Sequence, residues 1–314
     1  MTRTVVCLVG PTACHKTETA VKIAKAFDGE IVSADSVAVY RKLDIGSAKP
    51  TMAERQGVPH HMIDVADLEE TDFTVARFRK EARAALDDIL QRGRLPIVVG
   101  GSGLYSDAIF SDMSFSAPSD SAVRTRLEAE YAVDANAVFE RLRTVDELTA
   151  VRLHANDAKR VIRALEVFEV SGKPFSAWNA EFAKVQRGDG AYRVLRYGLT
   201  MDRKKLYDRI NLRVDRMFAS GLAEEAYHLF EQGYTPDRFS AMQSIGYAQL
   251  YDAYIGNCSQ SEARDAIRLA TRHFAKRQFT WFKRNPDTKW FSFDDYESAE
   301  MLQTALMKEI QTKL

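Results

Sequence analysis

The segment Gly10-Pro11-Thr12-Ala13-Cys14-His15-Lys16-Thr17 carries the densest chemistry in the chain. Its spacing is close to the phosphate-binding pattern G-x-x-x-x-G-K-[ST]. There, backbone N–H groups and the positive end of a helix surround a phosphate, lysine adds charge, and a hydroxyl can hold Mg²⁺. One position departs: His15 stands where the pattern has its second glycine. A Cβ and an imidazole therefore occupy a place where the backbone should approach the anion closely. Either the ring turns away or donates to the anion, or the loop is distorted and the site weakened. A turn before a helix with an incidental Lys-Thr would carry the same letters.

Asp35 follows a short apolar run, and Gly100-Gly101-Ser102-Gly103 follows another. In open parallel sheets, ligands sit beyond the carboxyl ends of the strands. An ATPase would usually show an acid at the end of an apolar strand to support Mg²⁺. Two glycines there point instead to a second close backbone approach to an anion. Asp35 is then the prominent carboxylate near the loop, suited to metal support or general base work, or else to forming a turn. Arg209 and Arg213 lie one helical turn apart. Arg264, Arg268, Arg272 and Lys276 recur every four residues, with Ile267, Ala270 and Phe274 as the expected apolar side. Trp281 and Phe282 interleave with the late basic residues, as stacking on nucleotides favours, although such a stripe alone usually marks a solvated face. Lys159, Arg160 and Arg163 form a smaller cluster. His60-His61 has no third residue spaced to complete a metal site and reads as structural.

The elements needed to position these residues are legible. Thr4–Val9 reads as a buried parallel strand, and Lys16 to Phe27 as a helix ended by Gly29. Further strands are expected over Glu30–Ala34, around His61–Val65, over Leu95–Val99 and over Arg193–Leu199. Helices are expected over Thr74 to Gln91, Asp157–Val170, Asp202–Ser220 and Ser261–Lys283. Ser111 to Asp120, rich in Ser, Asp and Pro, reads as a boundary, and only helical patterns follow it up to about Gly190. The expected class is α/β: a P-loop-type parallel sheet flanked by helices, with an all-helical insertion domain and a helical C-terminal part. Residues 1–112 and 191–314 would form the core and 113–190 the insertion.

The 314 residues suit one large domain plus a smaller one, and the 44 basic residues cancel the 44 acidic ones. A nucleic-acid partner must therefore be held by local patches. Cys7, Cys14 and Cys258 are too scattered for a disulfide framework. No apolar run is long enough for a membrane span and no signal-type leader is seen, so the cytoplasm is the expected compartment; a monomer is expected.

Taken together, Gly10–Thr17, Ser33–Tyr40 (SADSVAVY), Asp44–Pro50 (DIGSAKP), Val58–Asp64 (VPHHMID), Gly100–Tyr105 (GGSGLY), Asn156–Lys173, Ser244–Tyr247 (SIGY) and Lys276–Trp281 (KRQFTW) resemble the bacterial tRNA dimethylallyltransferases, or tRNA isopentenyltransferases, over nearly the whole length. The resemblance implies a Mg²⁺-dependent transfer of a prenyl group from dimethylallyl diphosphate to N6 of the adenosine 3′ of the anticodon, in tRNAs reading codons that begin with U. It makes Asp35 the base and assigns the diphosphate to Gly10, Pro11, Thr12, Ala13, Cys14, His15, Lys16, Thr17 and Ser102. It implies that Arg213 clamps the diphosphate and that Thr17 holds the metal. It assigns tRNA contacts to Asp35, Ser36, Val37, Lys159, Arg160, Arg163, Ser244, Gly246, Tyr247, Arg272, Lys276, Arg277 and Gln278. Family members carry glycine at His15 and commonly threonine at Ser47 and Ser102. Two other readings are a tRNA-binding pseudoenzyme disabled by His15 and a P-loop kinase of a small metabolite.

Overall fold

A computed structural model describes residues 3–70, 73–111, 119–178 and 190–314. Most of the expected boundary stretch, and the end of the insertion, lie outside these residues. The packing divides the chain into two units, Met1–Phe110 with Gly190–Leu314, and Ser111–Asp189.

In the first unit, β1 (Thr4–Val9) leads into α1 (Lys16–Ala26), β2 (Gly29–Ser33), the short α2 (Met52–Arg55) and β3 (His60–His61). Then come α3 (Val75–Gln91), β4 (Leu95–Gly100) and α4 (Gly103–Phe110). The second unit holds α5 (Ser121–Val133), α6 (Ala135–Val145), α7 (Glu147–Ala150) and α8 (Ala158–Ser171). The chain returns to the first unit through β5 (Arg193–Thr200), α9 (Arg203–Ala219), α10 (Leu222–Glu231), α11 (Tyr247–Tyr254), α12 (Gln260–Phe282), β6 (Lys289–Ser292) and α13 (Ala299–Gln311).

The strands form one parallel sheet in the order β3-β2-β4-β1-β5-β6. Both faces are covered, which is why β1 and β4 are apolar without alternation. Val5, Cys7 and Val9 enter one core layer with Val98, Phe78, Leu86 and Tyr247. Val6 and Leu8 enter the other with Ile23, Ile97, Ile210 and Leu306. The connection leaving β1 runs to β2 on one side, and that leaving β4 runs to β5 on the other. The neighbouring carboxyl ends of β1 and β4 are thus the topological switch point, where an open sheet forms its ligand crevice.

Several expectations shift. The strand expected over His61–Val65 contracts to His60–His61, because the chain turns at Met62 and Asp64, both at positive φ. The two histidines do structural work: His60 Nδ1 lies 2.9 Å from the Val58 carbonyl, and His61 Nε2 2.7 Å from Glu30 Oε2. Among the described residues no helix is long and apolar enough to cross a membrane.

Glu30 lies buried in β2, where Arg92 and Arg94 from the far end of α3 also reach it. The Arg92 guanidinium, then His61 and Arg94, hold its carboxyl down at about 2 against the cost of burial. A carboxyl depressed in the fold stabilises it above its unfolded pKa and loses that contribution as pH falls. Glu30 should therefore contribute on the order of 3 kcal/mol at neutral pH, a contribution that fades between about 4.5 and about 2. Melting curves of the natural protein and Glu30→Gln should converge over that acid range; parallel curves would remove Glu30 from the account.

The second unit has its own core of Leu127, Val138, Leu142, Val161 and Leu165. Glu166, fully buried, gathers the Asp120 amide and the guanidinium groups of Arg124 and Arg163.

Candidate active site

Gly10 opens the loop at φ 146, and a Cβ there would lie 2.4 Å from the Leu199 carbonyl oxygen. Only glycine lets β1 turn this close to β5. Ala13 and His15 both take the left-handed conformation, φ 63 and φ 51, and His15 is the N-cap of α1. No side chain among the described residues caps that helix, so its first-turn amides remain open toward the loop.

The Lys16 ammonium donates to the Pro11 carbonyl at 2.7 Å, which tethers it to the loop it serves. Burial pulls its pKa down to about 8, helped by the Arg213 charge and opposed by Asp35. An arriving anion would reverse that shift. The Thr17 side chain is exposed at the helix start. From α9, Arg213 Nη1 donates to the Thr12 hydroxyl at 3.2 Å, and Arg209 Nε to the Ala13 carbonyl at 2.9 Å. Spacing in the sequence leaves Arg209 undecided between solvent and site; the geometry makes it a brace of the loop backbone. Burial lowers the Arg213 pKa and the nearby Asp35 charge opposes the shift.

Asp35 lies just beyond β2. Its Oδ1 accepts the amides of Val37 at 2.8 Å and Ala38 at 3.1 Å, so it does form a turn. Its second oxygen has no protein partner among the described residues, and its charge reaches Lys16 and Arg213. The Ser102 hydroxyl accepts from the Ser36 amide at 3.0 Å and donates to the Ser36 hydroxyl at 3.1 Å. It thereby joins the β4 loop to the segment after β2.

Several residues expected at the RNA have protein partners instead. Gln278 is 5% exposed: its Oε1 accepts from the Thr12 amide at 2.8 Å and its Nε2 donates to the Gly101 carbonyl at 2.9 Å. It is a strut between the two glycine loops, and a Cβ on Gly101 would strike its amide at 2.3 Å. Trp281, one turn on, bonds Asp107 at 2.7 Å and fits beside Gly103. Tyr247 is wholly buried and, with buried Gly246, has no surface to offer. Its hydroxyl donates to Glu225 at 2.6 Å, and Glu225 accepts the amides of Asp44, Ile45 and Gly46. The pair holds the 44–50 loop. Ser244 bonds the Ala241 carbonyl and is partly open.

The expected basic stripe on α12 faces α9 for most of its length. Arg264 covers the Phe218 ring at 4.5 Å, Arg268 pairs with Asp215 and Asp265, and Arg272 bonds Asn211 at 2.9 Å. The buried side of α12 is Ala263, Ile267, Ala275, Gln278 and Phe282 rather than Ile267, Ala270 and Phe274. Lys276 and Arg277 alone of the assigned α12 cations are exposed. In the other unit Lys159 and Arg160 are exposed, Arg160 pairing with Asp157, while Arg163 serves the buried Glu166.

The arrangement is a cradle of amides, ammonium and guanidinium for an anion, with a carboxylate at its edge. A family model described as IPP transferase matches residues 38–285. The chain is 43% identical to a tRNA dimethylallyltransferase of Pelotomaculum thermopropionicum, over 94% of this chain and 92% of that one. It is also 43% identical to the Geobacillus thermodenitrificans enzyme of that name, over 100% and 98%. Among solved structures it resembles a full-length tRNA isopentenylpyrophosphate transferase from Bacillus halodurans, with TM-score 0.73, 38% identity and coverage of 99% and 96%. It also resembles a eukaryotic dimethylallyltransferase acting on tRNA, with TM-score 0.78, 25% identity and coverage of 99% and 80%.

Proposed function

Since the chain belongs to the family of the tRNA dimethylallyltransferases, we propose that it transfers the dimethylallyl group of dimethylallyl diphosphate to N6 of the adenosine 3′ of the anticodon, in tRNAs reading codons that begin with U. The observation that carries this reading is the grouping of open helix amides, Lys16 and Arg213 with the half-free carboxylate of Asp35. A kinase of a small metabolite would explain the first loop but not the family match or the strut to the second.

The exocyclic amine of adenine is a poor nucleophile because its lone pair is delocalised into the ring. It needs a base to take its proton as the new C–N bond forms. Asp35, fixed through Oδ1, presents Oδ2 for that proton. As the allylic carbon leaves, its C–O bond breaks and charge grows on the diphosphate. Lys16, Arg213 and the loop amides stabilise that charge more than the ground state. The donor set suits Mg²⁺, which binds through few protein ligands plus substrate phosphates: the exposed Thr17 hydroxyl would hold it, where it would neutralise diphosphate charge. The adenosine must leave the base stack to reach this loop.

For the RNA, the support lies in exposed Lys276 and Arg277 on the core, with Ser36 and Val37 beside the base, and in Lys159 and Arg160 on the second unit. Lys276→Ala with Arg277→Ala should weaken tRNA binding and lower the slope of log affinity against log salt by roughly one per lost phosphate contact. An unchanged slope would return both residues to solvent. The reading as a whole is tested by incubating purified protein with an unmodified anticodon stem-loop, dimethylallyl diphosphate and Mg²⁺. Appearance of the prenylated adenosine supports it; tRNA binding without transfer would favour a disabled relative.

A further inference from the structure

His15 breaks the glycine pattern of the loop, and its side chain is held on two sides. Its Nδ1 lies 3.0 Å from Glu18 Oε2, one turn along α1, and its ring centroid lies 5.0 Å from that of Phe293 at an interplanar angle of 42°. The imidazole is only 22% exposed. Phe293 begins the short turn Phe293–Asp295 that follows β6. That turn is fastened in its own right. Asp294 accepts the Asp202 amide and the Lys205 ammonium, the latter at 2.6 Å, at the start of α9. Its amide also bonds the Ser292 hydroxyl at 3.3 Å. The loop is therefore braced on two sides: by Arg209 and Arg213 at Ala13 and Thr12, and by Phe293 at His15.

We propose that His15 is a positioning residue for the diphosphate, whose ring, seated on Phe293 and bonded to Glu18, locks the turn that aims the first amides of α1. The inference rests on the donor-site reading above. Left-handed backbone is costly for a residue with a Cβ and free for glycine. A glycine adopts the turn easily but also leaves it easily. A histidine held by its side chain has the same backbone angles with fewer alternatives, and a preformed site loses less freedom when its ligand arrives. The side chain thus replaces permissiveness with anchorage, and the departure from the pattern does not disable the loop.

The contrast makes opposite predictions for His15→Gly. If histidine merely strains the loop, glycine should improve binding. If it locks the loop, glycine should raise the Kd for inorganic diphosphate with Mg²⁺, and the KM for dimethylallyl diphosphate, by about tenfold. In that case kcat stays within about twofold, because the chemistry itself is untouched. His15→Asn tolerates the left-handed backbone but cannot reach Phe293, so it should behave as glycine does. Phe293→Ala should do the same, and the double variant His15→Gly/Phe293→Ala should be no worse than either alone, since both remove one contact. Melting temperatures, read alongside, identify any variant whose fold has suffered; His15→Asn and Phe293→Ala then carry the test. Tighter or unchanged diphosphate binding by His15→Gly overturns the proposal, as does additivity in the double variant. If the natural protein itself fails to bind diphosphate, the donor-site reading has failed, a result separate from any ranking of the variants.

Discussion

Asp35→Asn should lower kcat for prenyl transfer by about 10²–10⁴-fold while leaving the fold and the donor affinity near their natural values. The choice of asparagine follows from the double duty of this side chain. Oδ1 accepts the Val37 and Ala38 amides and shapes the segment after β2. Asparagine keeps an oxygen there and tolerates such turns, so the loop survives. What it cannot do is take a proton from the amine. Asp35→Ala removes both functions and should lose structure around Ser36 and Val37 as well as turnover. A large loss in alanine with a small one in asparagine would make Asp35 a turn former and return the search for the base to its starting point. Single-turnover measurements at saturating donor separate these outcomes from any effect on product release.

Arg213→Gln should reduce kcat by roughly 10²–10³-fold, with a smaller rise in the KM for the donor. Glutamine ends two bonds short of the guanidinium and falls short of the Thr12 hydroxyl, so the brace on the loop is lost as well. The positive charge is lost, and it matters most when negative charge concentrates on the departing diphosphate. Arg213 is flanked on α9 by Ile210 and Val214, both buried, which fix the helix face and hence the direction of the guanidinium. Arg213→Lys should recover only part of the activity, because a point charge on a flexible stem does not replace a planar fork. Arg209→Ala, which removes a contact to a carbonyl rather than to the anion, should have the milder effect. If Arg213→Gln turned over normally, the guanidinium would be needed neither as a clamp nor as a loop brace.

What could be read from sequence follows a physical divide. β1, the phosphate loop and α1 were legible because a strand buried on both faces is apolar throughout and the helix after it has regular spacing. Asp35 and the loop that carries Ser102 could be singled out because the ends of such strands are where ligands sit. Gln278 and Tyr247 were assigned to RNA through the resemblance of KRQFTW and SIGY to the family's motifs. Their real partners are backbone groups of Thr12 and Gly101, and a glutamate 22 positions away, which no local pattern reveals. Glu225 left no signal at all: its partners are amides some 180 residues earlier. The face of α12 was misjudged for a related reason. Its buried side includes a glutamine satisfied by two hydrogen bonds and alanines that allow close packing, so hydropathy points elsewhere. β6 has four residues and pairs only with β5, too little for any periodicity.

The Gln278 strut has a thermodynamic corollary. The same turn of α12 carries Lys276 and Arg277 outward and Gln278 inward, so a shift imposed on the outer pair by RNA bound there would be delivered to Thr12 and Gly101 within a single helical pitch. Reciprocity then fixes the traffic between substrates: whatever factor tRNA applies to the donor's dissociation constant, the donor applies to that of tRNA. Measured as a thermodynamic square, with each affinity taken alone and in the presence of a non-reacting analogue of the other ligand, that factor should collapse toward unity in Gln278→Ala. The family's two substrates would then meet as strangers on one protein rather than as a matched pair.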